Sequence, residues 1–489
     1  MKASKLTLVL FAFLISLSSC EKYLEVDPAY SLGADNYFNT EQDYELALIG
    51  AYDLLQGSYI TQWVGEIASD NSIAGGESVT DTEGLHQIDE MTHDGVNNEL
   101  RSVMRFNYAG VSRCNYIMEN KDKTDFDGKE IILGETRFLR AYYYFELVRY
   151  FGGVPLVIDR SIGSEEVTTI DRASRGEVYA QIESDLQYAV NNLPWNQPIK
   201  GRVDKGAALS MLGKVYLFQN KFSQAATVLD RVINEGGYSL LPNYEDLWYA
   251  ANEDNAETVF DVEYSNLEGG SYDCLICLEG NAAAGFNGIR QYEGPVYADG
   301  NSYNLPTAKL YNSFDVNDPR RDLSVLNLDS FINLQPDPGS ISYATGGGGH
   351  TGYYNNKYIK RQSELGLPDD DLTSPLNYKV IRYADVLLMA AEAHNRNNND
   401  PQALTYVNLV RDRVGMPPLS SSGTTLTQEI WRERNLELSG EGHRFFDLVR
   451  TGEAANEIDG FQSGKHELFP IPQVEIDLSG GAWSQNPGY

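Results

Sequence analysis

The stretch from Glu135 to Pro155, ETRFLRAYYYFELVRYFGGVP, constrains this chain more than any other. Phe138, Ala141, Tyr142, Phe145 and Val148 fall at i, i+3, i+4, i+7 and i+10, which predicts a helix with one apolar, aromatic stripe. Arg137, Arg140, Glu146 and Arg149 lie mostly off that stripe, where they can reach water or acidic partners. Gly152-Gly153 suits the left-handed cap that ends a helix, and Pro155 keeps it from resuming. A face this wide and aromatic must be covered by other helices.

A second segment says how those helices are arranged. Ala207 to Gly237 reads AALSMLGKVYLFQNKFSQAATVLDRVINEGG, with Leu212-Gly213, Tyr216 and Ala225 at the offsets of a tetratricopeptide repeat. Leu229 stands where that repeat has an aromatic residue and Gly237 where it has Pro, so the match is partial. A further copy is hinted at by VLLMAAEA from Val386 to Ala393, followed by Pro401 and Ala403-Leu404. One repeat cannot bury its own face, so several are expected. The fold class read from these segments is mostly α: a tetratricopeptide-like helical-repeat scaffold with long irregular loops and a few short strands. Thr40 and Asp43 form a capping box ahead of a helix carrying Tyr44, Leu48, Ala51, Tyr52 and Leu55. Residues 58–96 read as irregular, and a helix is expected around 97–120. From about 250 to 375, Gly, Asn, Asp and Tyr dominate, and loops with short strands at Thr258–Tyr264 and Tyr353–Lys360 are expected. Residues 376–450 return to helix, and the last 25 form an extended, Pro-punctuated tail.

Charge narrows the partners. The formal net charge is −32, which excludes nucleic-acid binding and attraction to anionic headgroups and leaves neutral or cationic ligands. The 32 tyrosines offer apolar rings with hydroxyl tips, suited to helix contacts and to sugar faces alike. Lys2 and Lys5 precede an apolar run, Leu6 to Leu17, of signal-peptide length, which ends in LSSC at Cys20. That ending resembles a bacterial lipobox, and the expectation is a lipoprotein signal peptide over residues 1–19 with a lipid on Cys20. Cys274 and Cys277 form one C-x-x-C without the further ligands zinc needs, leaving a local disulfide or two free thiols.

Five stretches, taken together, resemble the SusD/RagB family of outer-membrane nutrient-binding lipoproteins. They are the lipobox; RFLRAYYYFELVRYFGGVPL from Arg137 to Leu156; Arg382 to Asp385 with Ala391-Glu392-Ala393; EGHRFFDLVR from Glu441 to Arg450; and Phe469 to Pro472 with Gln485 to Pro487. Asp318-Pro-Arg-Arg321 also resembles the family's Asp-x-Arg turn. The resemblance implies residues 20–489 as one SusD-like domain, with an N-terminal helical-repeat part (20–245), a loop-rich ligand-side region (246–375), and C-terminal helices with an extended tail (376–489). It further implies a protein anchored at the outer membrane and exposed at the cell surface. Such a protein captures oligosaccharide, or in some members peptide, and passes it to a TonB-dependent, SusC-like transporter. It implies no enzyme and no cofactor.

Sugar binding needs aromatic faces for ring C–H groups and polar groups for hydroxyls. Two sets qualify: Trp63 with Asp70 and Asn71 after the first helix, and Phe286, Arg290, Tyr292 and Tyr297 in the Gly-rich region. Arg382, Asp385, Glu392, Arg444, Asp447 and Arg450 read as structural ion pairs and caps between helices. Catalytic patterns fail. Gly347 to Gly352 fits G-x-G-x-x-G in letters but precedes no helix, and no G-x-S-x-G, H-E-x-x-H or Walker sequence occurs. No metal site is expected, and Asp369-Asp370-Asp371 reads as a solvated acidic loop. Paired carboxylates for glycoside cleavage remain an alternative, as does a repeat scaffold for protein partners.

Overall fold

The computed structural model describes residues 37–162, 166–272, 274, 277–366, 369 and 372–489. Cys20 and the expected signal peptide lie outside these residues, as do Asp370 and Asp371. The first helices are α1 (Glu41–Asp53), α2 (Tyr59–Ile67), α3 (Glu83–Asp89) and α4 (Asn98–Glu119). They continue as α5 (Lys129–Phe151), α6 (Arg175–Asn192), α7 (Lys205–Phe218) and α8 (Phe222–Glu235). The capping box forms as expected. Thr40 Oγ1 accepts from the Asp43 N–H at 3.3 Å, and the Asp43 carboxylate accepts from the Thr40 N–H at 2.9 Å.

From α4 to α8 each helix packs on the next, which is the expected repeat stacking. Gly213 shows why α7 and α8 need a glycine at their contact: a Cβ there would lie 2.5 Å from Leu229 Cδ2. The stack does not stop at α8. It resumes with α13 (Tyr383–Arg396), which packs on α8 and then carries α14 (Asp400–Arg413) and α15 (Gly423–Leu438). Residues 236–382 are therefore inserted between two neighbouring helices of one continuous array.

The structure differs from the expectation for α5. Every residue from Phe138 to Phe151 is buried, so this part of the helix has no wet face. Helices α4 and α6 enclose it from two sides, and the Phe260 ring meets Phe138 edge-on at 4.9 Å. Its charges are therefore paired inside. Arg140 donates twice to Asp185 of α6, each at 2.8 Å, and Arg149 pairs with Glu146 at 2.5 Å. Gly152, at φ +72°, ends the helix.

Among the described residues, the strands of the inserted segment and of the chain before it form two-stranded ribbons. Strand β1 (Ser72–Ala74) pairs antiparallel with β5 (Asn304–Pro306), and β2 (Thr258–Val262) with β8 (Tyr378–Arg382). Strand β3 (Ile289–Arg290) runs parallel to β4 (Asp299–Gly300), and β6 (Val325–Asn327) pairs antiparallel with β7 (Tyr353–Asn355). Short helices α9 (Ala282–Phe286), α10 (Ala308–Ser313), α11 (Arg320–Ser324) and α12 (Leu328–Asn333) fill the spaces. The insertion has a small core of its own, built from Ile289, Tyr292, Tyr297, Leu326, Tyr354 and Ile359. Cys274 and Cys277 are joined by a disulfide, and Cys114 is buried in α4.

Buried ion pairs tie the insertion to the C-terminal helices. Arg382 contacts Glu257 at 2.9 Å, Glu437 at 2.5 Å and Glu441 at 2.8 Å, all four side chains being at most 1% exposed. Arg320 reaches Asp318 at 2.7 Å and Glu437 at 2.9 Å, and Lys357 reaches Glu441 at 2.7 Å. Helix α16 (Arg444–Thr451) is fixed by Arg450, which reaches Glu392 at 2.6 Å and Asp447 at 2.8 Å. Asp385 pairs with Arg434. The structural reading of these charges holds. Burial alone would raise the carboxyls of Glu437 and Asp447, but the surrounding guanidinium groups outweigh it and hold both well below the usual carboxylate range.

Candidate functional site

Trp63 sits on α2, a helix in a segment expected to be irregular. Tyr59, Ile60, Trp63, Val64 and Ile67 fall at i, i+1, i+4, i+5 and i+8, a helical period that the irregular reading passed over, and all nine α2 residues are buried, the polar ones included. Its polar members reach distant backbone with one atom each: Gln62 donates to the Gly440 carbonyl at 2.8 Å, and Glu66 accepts from the Gly442 N–H at 2.8 Å. Burial pushes the Glu66 carboxyl up to about 7. Trp63 is 4% exposed, its ring 4.5 Å from Phe286, 5.3 Å from Tyr59 and 6.1 Å from Tyr303. Both expected sets thus meet, Trp63 with Phe286, but as core. Neither ring has a face free for a sugar. Tyr292 and Tyr297 are likewise buried, their hydroxyls donating to the Pro295 carbonyl at 2.9 Å and to Asn356 Oδ1 at 3.0 Å. These four residues form a floor in two parts, Trp63 and Phe286 in the main core and Tyr292 and Tyr297 in the insertion's own small core. The physical reason is the insertion: it folds back over α2 and covers rings that a loop would leave open.

Above this floor three loops converge. The Gly348 N–H donates to the Gly76 carbonyl at 3.0 Å, and the Ala344 N–H donates to the Arg290 carbonyl at 2.9 Å. The Arg290 guanidinium donates to the Gly346 carbonyl, and a His86 ring nitrogen lies 2.9 Å from the Gly75 carbonyl. Gly347, at φ +122°, admits no side chain, because a Cβ would stand 2.4 Å from the Gly76 carbonyl oxygen. The Gly-rich run is thus a packing device between loops, and it leads into β7 rather than a helix. On the outer surface lie half-buried Tyr343 and exposed His350, ring centroids 5.9 Å apart, with half-buried Arg290 beside them. The Tyr343 hydroxyl donates to Asp329 Oδ1 at 3.2 Å, which holds the ring in place. This platform can stack on an apolar face and hydrogen-bond around it.

Asp70 and Asn71 leave Trp63 altogether. They follow α2 and line a separate pocket of about 360 Å³ with residues of α10, α15 and α16. Arg444 clamps Asp70 at 2.7 and 3.1 Å, and Lys309 reaches it at 2.9 Å. Burial would raise the Asp70 carboxyl, but these two cations lower it instead. Asn71 Nδ2 donates to Asn435 Oδ1 at 2.9 Å. Tyr343, His350 and the pocket's Trp431 are absent from the sequence-derived sets. The first two flank a glycine run, and Trp431 lies with Gln428, Arg432 and Asn435 at i, i+3, i+4 and i+7 of one helix face, so signals existed.

Comparison with known proteins bears on what these surfaces serve. Residues 256–467 match the family model described as "SusD family", and residues 22–217 match one described as "Starch-binding associating with outer membrane". A solved structure titled "Laminarin binding SusD-like protein" is 34% identical, with 92% of this chain and 100% of that chain covered and a TM-score of 0.84. The chain belongs to the SusD-like family. The SusD-like protein P2 of Formosa agariphila is 28% identical over the full length of both chains. The surface glycan-binding protein A from Bacteroides fluxus is 25% identical at a TM-score of 0.81, over 92% of this chain and all of its own. The helical-repeat fold expected for a SusD-like chain is the one described above.

Proposed function

We propose that this SusD-like protein captures a neutral glycan at the outer-membrane surface and delivers it to a TonB-dependent, SusC-like transporter, held to the membrane by a lipid on Cys20. The observation that carries this reading is the similarity, at 34% identity over 92% of this chain, to a protein titled as laminarin-binding. The family description "associating with outer membrane" supports the location. The loop platform supplies a surface of the right chemistry: Tyr343 and His350 as stacking rings, Arg290 as hydroxyl partner, and Trp63, Phe286, Tyr292 and Tyr297 as the rigid floor beneath. A net charge of −32 favours an uncharged glucan over an acidic polysaccharide. The protein binds without chemistry in this reading.

The test is affinity electrophoresis and calorimetry of the chain beginning at Glu21 against laminarin, other neutral glucans, acidic glycans and peptides. Saturable binding of a neutral glucan, with no new reducing ends after long incubation, is the expected result. New reducing ends would replace the reading with glycoside cleavage, and binding of peptides alone would replace it with peptide capture. Co-purification of a TonB-dependent transporter with the tagged, lipidated chain tests the delivery step.

A further inference from the structure

The pocket holding Asp70 and Asn71 is built like a ligand site in its own right. Helix α15 turns two unlike faces to its surroundings. Glu433 and Glu437 face inward and are consumed by arginines. Gln428, Trp431, Arg432 and Asn435 line the pocket instead. Trp431 is only half-buried there, unlike the core residues Trp63 and Trp248. Opposite it, α10 brings Lys309, which bridges Asp70 at 2.9 Å and Glu457 at 2.8 Å while keeping 55% of its side chain exposed. Fixed charges of both signs therefore surround a half-buried indole, whose buried N–H has no partner among the described residues, with the side-chain amides of Gln428 and Asn435 on the same wall. About 360 Å³ lies at the small end of ligand clefts, typically ~300–1,000 Å³. Balanced charge argues against an ion as ligand, and an aromatic face ringed by donors and acceptors fits an uncharged sugar.

The position strengthens the argument. The β1–β5 ribbon joins this pocket to the loop platform. Asp70-Asn71 precede β1, and the Thr307 N–H that opens α10 donates to the Asn71 carbonyl at 2.8 Å. At the other end of the same ribbon the Gly76 N–H donates to the Ser302 carbonyl at 2.8 Å, under the platform. Three residues of strand span roughly 10 Å. We infer that the pocket between α10, α15 and α16 is a second saccharide site, which takes one or two neutral sugar residues with Trp431 as its stacking face. Its ligand class rests on the glycan reading above. Two sites on one rigid ribbon let a longer glycan bind by avidity.

The probe is fluorine NMR of the chain labelled with 5-fluorotryptophan, whose five tryptophans give separable signals. Trp431→Phe assigns one of them. Titration with glucose, galactose, mannose and laminaribiose is expected to move the Trp431 signal saturably, with Kd on the order of millimolar, and to leave the Trp63 and Trp248 signals still. Arg432→Ala and Gln428→Ala, both exposed positions, are expected to raise that Kd at least fivefold with the other signals unchanged, which reports an intact fold. A Trp431 signal unmoved by every sugar overturns the site. If laminarin still retards the same protein in a gel, the capture reading survives that loss. A response at Trp431 with no retardation supports the pocket and counts against the platform.

Discussion

Trp63 on α2 and Trp431 on α15 are both helix-borne indoles, and the tertiary structure treats them oppositely. Trp63 lies where the inserted segment 236–382 folds back on the helical array, so Phe286 and Tyr303 close over it. Trp431 lies at the other end of the β1–β5 ribbon, where α10 stands off far enough to leave a cleft. The contrast separates two jobs that one residue type can do. Below the platform, aromatic rings stiffen the surface that loops will use. In the pocket, a ring remains available to a ligand.

The largest expected effect breaks the comparison if it fails. Trp63→Ala removes a fully packed indole and should cost about 3–5 kcal/mol of stability, read by urea denaturation. Trp431→Ala, at a half-exposed site, should cost about 1 kcal/mol or less. Equal costs would mean that Trp431 is core too. Next comes Arg382→Met, which removes the cation shared by Glu257, Glu437 and Glu441 and leaves these buried carboxylates to Arg413, Arg320 and Lys357. A loss of about 3–5 kcal/mol is expected, and a neutral result would show that the ionic tie between insertion and scaffold is dispensable.

The pH dependence sharpens the same contrast. Burial pushes Glu66 up to about 7 and Asp89 up to about 6. In the unfolded chain both ionise near pH 4–4.5. The folded state therefore holds protons that the unfolded state has released, and stability falls as pH rises from about 4 to about 7, then levels off. Glu437 and Asp447 act in the other direction below that window, because they must be protonated on unfolding in acid. Thermal melting should thus peak near pH 5 and be lower at pH 8, and Glu66→Gln should flatten part of the alkaline side. A melting temperature that climbs steadily from pH 5 to 8 would show that these buried acids do not govern stability.

The smallest expected effects concern binding. Tyr343→Ala with His350→Ala should weaken glucan binding about tenfold, equivalent to ~1.4 kcal/mol, with melting unchanged within a degree or two. Unchanged affinity in calorimetry would move the ligand surface away from the platform.

Several elements were legible in the sequence for reasons that are local. The Thr40–Asp43 cap depends on residues three apart, and the α7–α8 pair depends on a small residue at Gly213 and apolar partners at Ala225 and Leu229. The roles of Asp385 and Arg450 followed from charges on helices that had to pack, whereas Arg382, expected on a helix, ends strand β8. Helix α2 did carry a period, in Tyr59, Ile60, Trp63, Val64 and Ile67, but that period could not show that its polar face, with Gln62 and Glu66, is buried as well. Of the seven candidate ligand residues, Asp70 and Asn71 do line a cleft, but with Trp431 rather than Trp63. Arg290 lies at the platform, and Trp63, Phe286, Tyr292 and Tyr297 lie beneath it.

The sequence by itself determined the helical array, its caps, its close contacts and the loop-rich insertion, because each rests on spacing along the chain. Tertiary structure alone decided which aromatic rings face solvent. That outcome depends on partners remote in sequence, as when Arg444 reaches back 374 residues to clamp Asp70 and thereby shapes the pocket beside Trp431. Burial is a property of what folds over a residue, and no local pattern records it.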